Sequence, residues 1–372
     1  MSADPTGTTP DGSPATGVAP DQLAMTGASR HGQVTVVLVA YKTPELILKC
    51  LAGLPAGCPV IVVDNASGDG TAEAIAAAYP KIDLVRSPEN LGFARAVNLA
   101  AARVRTPYLM LLNPDAEPVG DPVGALLDHA LAHPAPGIYA GRTLRRDGSD
   151  DGRSVFGLPS LWGYLCFATG LSSVFRRSRL CNPEEHNGLD RAVGGPAPAV
   201  SGCVVLFERA LFEELGGFDP RYFMYSEDVD LSWRAARLGR HPVLVAGATV
   251  THENGASSSA TQKRVMVLRG KVTFVRLRWS PVRARVGLGL IGLGVWLRSR
   301  VGTGWAEVWG RRAEWKAGWA APASTAGAPA TASPAAAPAP APTSVPVPVP
   351  VQAASVPAQQ AAEPQVPAPE SV

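Results

Sequence analysis

Asn113-Pro114-Asp115 follows the apolar run Tyr108-Leu109-Met110-Leu111-Leu112, so a buried strand ends in a turn that offers a carboxylate. In an open α/β sheet that position is the carboxyl edge, where ligands collect. A carboxylate there can hold a divalent cation, and the cation can hold a diphosphate. Asn-Pro-Asp is also ordinary turn chemistry, so its meaning depends on the other groups the chain brings forward. Those are Asp64-Asn65 after Val60-Ile-Val-Val63, the acidic cluster Glu227-Asp228-Val229-Asp230, and His252 after Thr249-Val250-Thr251. Such groups could hold a cation and take a proton from an attacking hydroxyl. Three carboxylates opening a helix also complement its dipole, and capping is the alternative reading. Positions i, i+1 and i+3 do not share one face, so Glu227 and Asp230 point together and Asp228 points elsewhere. A lone His at a strand end is ordinarily a hydrogen-bonded surface residue; His252 enters as a ligand only because Asp115 exists.

The elements that must position these groups alternate. Val34-Thr-Val-Val-Leu-Val-Ala40 reads as a fully buried parallel strand, followed by the turn Tyr41-Lys42-Thr43-Pro44 and a helix over residues 45–54. Val60 to Val63 is a second buried strand, and Asp69 or Thr71 caps a helix from Thr71 to about Ala78. A third strand covers residues 83–86, a helix runs from Phe93 to about Arg103, and the fourth strand delivers Asn113-Pro114-Asp115. This order predicts an α/β fold with a Rossmann-like, mostly parallel sheet flanked by helices and right-handed crossovers. Its loops at residues 41–43, 64–70, 88–92 and 113–115 then leave one edge and describe a nucleotide-sized site. Further on, residues 199–207 read as a strand, 209–215 as a short helix, and Gly216-Gly217-Phe218-Asp219 as a turn. Ser226 then opens a helix to about Leu238, and residues 242–246 and 249–251 are strand-like.

The motifs form an ordered set: Val37-Leu-Val-Ala-Tyr41, Val62-Val-Asp-Asn-Ala-Ser-Gly-Asp-Gly70, Asn90-Leu-Gly-Phe-Ala94, Asn98 and Leu111-Leu-Asn-Pro-Asp115. Ser201-Gly202, Gly217-Phe-Asp219, Phe223-Met-Tyr-Ser-Glu-Asp-Val-Asp-Leu231 and Val250-Thr-His252 complete it. In this order, over residues 34–258, the chain resembles the family 2 glycosyltransferases of GT-A fold, in the bacterial rhamnosyltransferase and galactofuranosyltransferase branch. Ala40-Tyr41-Lys42 departs from the Asn-Tyr-Asn usual in that branch, while Asn113 at the head of the metal motif is common there. The resemblance implies an inverting, metal-dependent transfer of a sugar from a nucleoside diphosphate to an acceptor hydroxyl. It assigns Asp115 and His252 to Mn²⁺ or Mg²⁺, Asp228 to the base, Glu227 to the acceptor side and Asp230 to the helix cap. An imidazole beside a carboxylate suits Mn²⁺ better. Tyr41 is expected on the nucleotide base, Asp64 at its ring N–H, Asn65 and Asn113 on the donor side, and Arg95 or Asn98 at the diphosphate or sugar. The expected donor is dTDP-rhamnose and the acceptor a saccharide or polyprenyl-pyrophosphate-linked glycan of cell-wall or surface polysaccharide synthesis. UDP-galactofuranose and UDP-GlcNAc are the alternative donors. A nucleotidyltransferase normally carries a Gly-rich basic loop after the first strand, which Tyr41-Lys42-Thr43-Pro44 is not. A catalytically dead sugar-binding scaffold is disfavoured by the joint presence of Asp115, Asp228 and His252.

Composition divides the 372 residues further. Residues 1–32 are rich in Gly, Thr, Ala, Pro and Asp without the apolar core of a signal peptide, and read as disordered. Residues 33–260 form the transferase domain, with a nucleotide-binding half at 33–118 and an acceptor and catalytic half at 119–260. Within the latter, residues 141–198, with Arg142, Arg145, Trp162 and Tyr164, are expected on the acceptor side or as a solvated variable region. Residues 261–320 are a basic helical extension, and the Ala/Pro-rich residues 321–372 read as disordered. In the extension, Val286-Gly-Leu-Gly-Leu-Ile-Gly-Leu-Gly-Val-Trp-Leu297 is too short and Gly-rich to span a bilayer. Its Arg flanks and Trp neighbours suit either an interfacial segment on anionic lipid or a helix packed on the catalytic domain. No nucleic-acid reader motif accompanies the basic residues, so nucleic acid is not an expected partner. Five scattered cysteines without metal spacing read as reduced thiols, and the expected location is the cytoplasm, with peripheral contact on the inner face of the plasma membrane.

Overall fold

The computed structural model describes residues 30–185, 188–252 and 259–320. Expectations for residues 1–29, for 253–258 and for the tail from 321 lie outside those residues. Residues 30–32, placed above in the disordered N-terminal segment, instead form a helical turn in which Arg30 pairs with Asp128 at 2.6 Å and His31 with Asp121 at 2.9 Å.

The strands are β1 (Val34–Ala40), β2 (Val60–Asp64), β3 (Asp83–Arg86), β4 (Tyr108–Leu112), β5 (Ala116–Val119) and β6 (Ile138–Leu144). They continue as β7 (Val155–Phe156), β8 (Gly195–Pro196), β9 (Ala199–Val200), β10 (Val204–Glu208) and β11 (Val243–His252). The helices are α1 (Pro44–Ala52), α2 (Thr71–Ala78), α3 (Phe93–Ala101), α4 (Pro122–Ala132), α5 (Leu161–Thr169) and α6 (Leu171–Val174). Then follow α7 (Arg209–Glu214), α8 (Glu227–Arg237), α9 (Ala260–Arg278), α10 (Pro281–Ser299), α11 (Thr303–Gly310) and α12 (Arg312–Ala317).

The main sheet runs β3-β2-β1-β4-β10-β6-β11-β5, with β8 paired to β11. Its first four strands are parallel, as the βαβ alternation requires. Successive residues of β1, β2 and β4 alternate between two apolar layers: Val37, Val39, Ile61, Val63, Leu109 and Leu111 on one face, Val36, Leu38, Val62, Met110 and Leu112 on the other. Burial on both faces is why these strands read as unbroken apolar runs. The first layer is covered by α3, α8, α9 and α10, the second by α1, α2 and α4. The two strand-like stretches at 242–246 and 249–251 are one strand, β11, with a register shift between Leu244 and Thr249.

The basic extension packs on this frame. Arg278 at the end of α9 pairs with Asp230 of α8 and lies 2.9 Å from Asp219. In α10, Gly294 meets the Phe167 ring of α5 so closely that any Cβ would strike it. No described helix is long and apolar enough to cross a membrane.

Candidate active site

Strand register places the chemistry. Ala40 pairs with Asp64 and Asp64 with Arg86, so β1, β2 and β3 end at one line. Antiparallel β10 begins there, with Val204 opposite Leu112 and the Asn113 N–H donating to the Cys203 carbonyl at 2.8 Å. Ser201-Gly202 therefore lies beside Asn113-Pro114-Asp115. Four non-glycine residues have left-handed backbone among the described residues: Lys42, Ala66, Tyr225 and Ser226. The first two are in loops leaving β1 and β2; the others open α8. Each costs about 1–3 kcal/mol, a strain the surrounding packing must hold in place.

Asp115 and His252, which the resemblance assigns to a metal, lie side by side. Strand β5 starts immediately after Asp115 with Ala116 opposite His252, which brings Asp115 Oδ1 to 3.3 Å from His252 Nε2. Asp151, buried behind the ring, holds Oδ2 3.7 Å from Nδ1, and neither of those two atoms has a hydrogen-bond partner. Burial pulls the imidazole down, but the Asp115 and Asp151 carboxylates outweigh it and hold His252 up to about 12. Burial also opposes Asp151's charge, and His252, Thr143 and the Arg153 N–H outweigh it to hold its carboxyl below the usual range. Among the described residues, no three His, Cys, Asp or Glu side chains converge on a metal position. The donor set nonetheless fits a divalent cation: one carboxylate and one imidazole, the latter with the Asp151 carboxylate behind its other nitrogen. Remaining ligands would be substrate and water oxygens. Asp151 escaped the sequence reading because Asp147 to Asp151 looks like turn chemistry, and only the pairing of β6 with β11 brings it to His252.

The acidic cluster divides by direction. Asp228 is half-buried at the head of α8 and accepts from the Gly202 N–H at 3.2 Å, which sets it beside the Asn113 turn. Burial raises its carboxyl above the usual range. Glu227 is buried with Oε2 unpartnered, and burial and then the charge of Asp228 push it well up. Asp230 does not cap the helix. It is fully buried and is held by Arg234 at 2.8 Å, by Arg278 and by the Tyr222 hydroxyl at 3.2 Å, because it faces the core layer and α9. Tyr225 is raised by burial and Glu227, with Arg153 opposing and Asp115 adding, so these groups share one neighbourhood. Lys263 of α9 joins it: burial and Arg153 lower the ammonium, and Asp115 opposes. Neither Arg153 nor Lys263 carries a sequence signal.

At the β1–β2 end, Asp64 is buried with Oδ1 unpartnered, beside a cavity of about 290 Å³ lined by Asp64, Ala66, Gly68, Arg86 and Ser87 among others. Tyr41 is exposed at the loop above β1. Asn65, expected at the donor, instead joins two loops: it donates to Asn90 Oδ1 (3.1 Å) and the Gly92 carbonyl (3.3 Å) and accepts from the Leu91 N–H (2.8 Å). Asn98 is also a clamp, donating to the Phe218 carbonyl at 2.7 Å and accepting from its N–H at 2.9 Å. Amide groups facing loop backbone satisfy orphan peptide groups first, which explains both corrections. Arg95 pairs with Glu89 at 3.0 Å, and Asn113 fixes the turn through its backbone.

Comparison with known proteins agrees with this geometry. Residues 35–216 match the model for Glycosyl transferase family 2, and residues 183–266 that for Glycosyltransferase like family 2. Two curated proteins, from the CDC 1551 and H37Rv strains of Mycobacterium tuberculosis, are each 29% identical over 264 residues, or 65% of this chain and 83% of theirs. Both are named N-acetylglucosaminyl-diphospho-decaprenol L-rhamnosyltransferase. Among solved structures, a Pyrobaculum calidifontis mannosyltransferase in complex with GDP-Man and Mn²⁺ superposes with a TM-score of 0.47 at 19% identity, over 76% of this chain and 79% of that one. With family models running from the first strand through the acidic cluster to the start of α9, the chain belongs to the family 2 glycosyltransferases.

Proposed function

We propose that this enzyme transfers L-rhamnose from dTDP-rhamnose to a GlcNAc-diphospho-polyprenyl acceptor, with inversion at the anomeric carbon. The acceptor and sugar are taken from the names of the two mycobacterial relatives. The observation that carries the chemistry is the half-buried Asp228, held by the Gly202 N–H beside the Asp115–His252 pair. The acceptor oxygen attacks the anomeric carbon as its proton passes to an Asp228 carboxylate oxygen, and the bond from that carbon to the diphosphate breaks. A carboxylate raised above its usual range is better matched to that proton than an ordinary one. Asp115 and His252 would hold a divalent cation, which stabilises the charge gathering on the leaving diphosphate. The unpartnered Asp64 Oδ1 beside its cavity supports recognition of the pyrimidine ring N–H.

The test is product formation from dTDP-rhamnose, UDP-galactofuranose or UDP-GlcNAc with a GlcNAc-diphospho-polyprenyl analogue, in Mn²⁺ and in EDTA. Metal-dependent product from dTDP-rhamnose alone is expected; product only from a UDP-sugar would move the donor assignment. Asp228→Asn should lower turnover about 10²–10⁴-fold while donor affinity stays near wild type. Loss of donor binding in that variant would make Asp228 a binding group instead.

A further inference from the structure

The C-terminal helices carry an apolar surface that no described residue covers. On α10, Ala284, Gly287, Ile291, Gly294 and Val295 are buried, with α5 among the helices that cover them. The opposite side presents Val282 (70% exposed), Val286 (49%), Leu293 (45%) and Leu297 (40%), one stripe at helical spacing. Val301, 86% exposed, extends it past the helix end. Exposed aliphatics gathered this way mark an interaction surface.

Charge decides the partner. Arg283, Arg285 and Arg300 accompany these apolar residues, and none of the three forms an ion pair with a described residue. Arg283 lies over the Trp279 ring at 4.2 Å and Arg300 over Trp296 at 5.1 Å, so apolar stems carry the cationic heads. A second copy of the chain would bring the same arginines against one another. An anionic headgroup layer complements them, and its acyl boundary accepts the stripe. Helix α10 has 19 residues, but no described helix is long and apolar enough to cross a membrane, so a bilayer would meet α10 along its length.

We propose that α10 docks the enzyme on an anionic phospholipid bilayer, Val282, Val286, Leu293 and Leu297 below the headgroups and Arg283, Arg285 and Arg300 at the phosphates. This deepens the function proposed above and rests on its lipid-linked acceptor.

The test is co-sedimentation of the full chain with phosphatidylglycerol-containing and pure phosphatidylcholine vesicles, with dTDP-rhamnose binding measured on the same samples. Wild type should pellet with the anionic vesicles only, and less as salt rises. Val286→Glu/Leu293→Glu should lower vesicle affinity at least about tenfold with Tm and donor affinity unchanged, since both positions are exposed. Arg285→Gln/Arg300→Gln should lose the preference for anionic lipid. Equal binding by the Glu variant, or no binding by wild type, overturns the docking face. So does a wild-type dimer that the Glu variant converts to monomer in lipid-free sedimentation. Donor binding without vesicle binding removes the docking face and keeps the transferase; vesicle binding without donor binding does the reverse.

Discussion

Burying Glu227 beside Asp228 sets stability against chemistry. Burial and the neighbouring charge hold the Glu227 carboxyl well above the ordinary glutamate value. Between that ordinary value and the raised one, the unfolded chain releases this proton while the folded chain keeps it. Stability from this group is therefore full in acid and falls as pH rises through that window. Glu227→Gln should remove the loss, raising Tm at neutral pH by about 2–4 °C per kcal/mol recovered, with the gain vanishing in acid. Turnover should fall in the same variant. A Tm difference that ignores pH would mean that Glu227 is ionised in the folded protein. Asp151 yields a second expectation: Asp151→Asn should weaken Mn²⁺ affinity about 10–100-fold by titration calorimetry, with Asp151→Glu restoring part. Unchanged affinity would leave Asp151 its bonds to the Thr143 hydroxyl and the Arg153 N–H. Asp115 and His252 were legible because His252 ends a strand and Asp115 closes the turn after one, each within an ordered motif. Asp151 was not, since its partner arrives a hundred residues later along the chain by strand pairing.

At the scale of elements, α9 acts as a wall of the catalytic turn. Gly270 lies so close under Tyr225 and Ser226 that a Cβ would collide with the Tyr225 carbonyl. Trp319 donates to the Met224 carbonyl at 2.9 Å, and Arg278 anchors Asp230 and Asp219. The left-handed pair Tyr225-Ser226 is thus held from outside its own element. Arg278→Met should destabilise by up to about 3–5 kcal/mol in urea unfolding, because it strips a partner from a fully buried carboxylate. Adding Asp230→Asn should return part of that loss; a purely additive double variant would refute the coupling. Gly270→Val should lower turnover more than it lowers donor affinity, since Gly270 meets Tyr225 and Ser226 at the head of α8 and does not line the cavity at Asp64. Strands β1, β2 and β4 were legible as doubly buried runs. The wall was not, because α9 buries Val265, Leu268, Val272, Phe274 and Val275 on several sides and so lacks one clean apolar stripe.

For the whole molecule, these contacts make the extension part of the catalytic body. Val265, Val272, Phe274, Ile291, Val295, Val308 and Trp315 belong to the same apolar cluster as Val37, Leu109 and Phe218. A chain ending at residue 260 should therefore lose cooperative thermal unfolding and bind an apolar dye such as ANS. A sharp, dye-free transition in that truncation would show the wall to be dispensable. Basic composition made the extension visible in the sequence, but which of its faces packs is a tertiary fact. The wall also fixes an order of events during synthesis. At about 5–20 residues per second, strands β1 to β4 are made well before Arg278 and Trp319, so that half of the sheet can fold while the Tyr225-Ser226 kink still lacks its outside support. The kink gains its Trp319 clamp only when that residue has emerged from the ribosome.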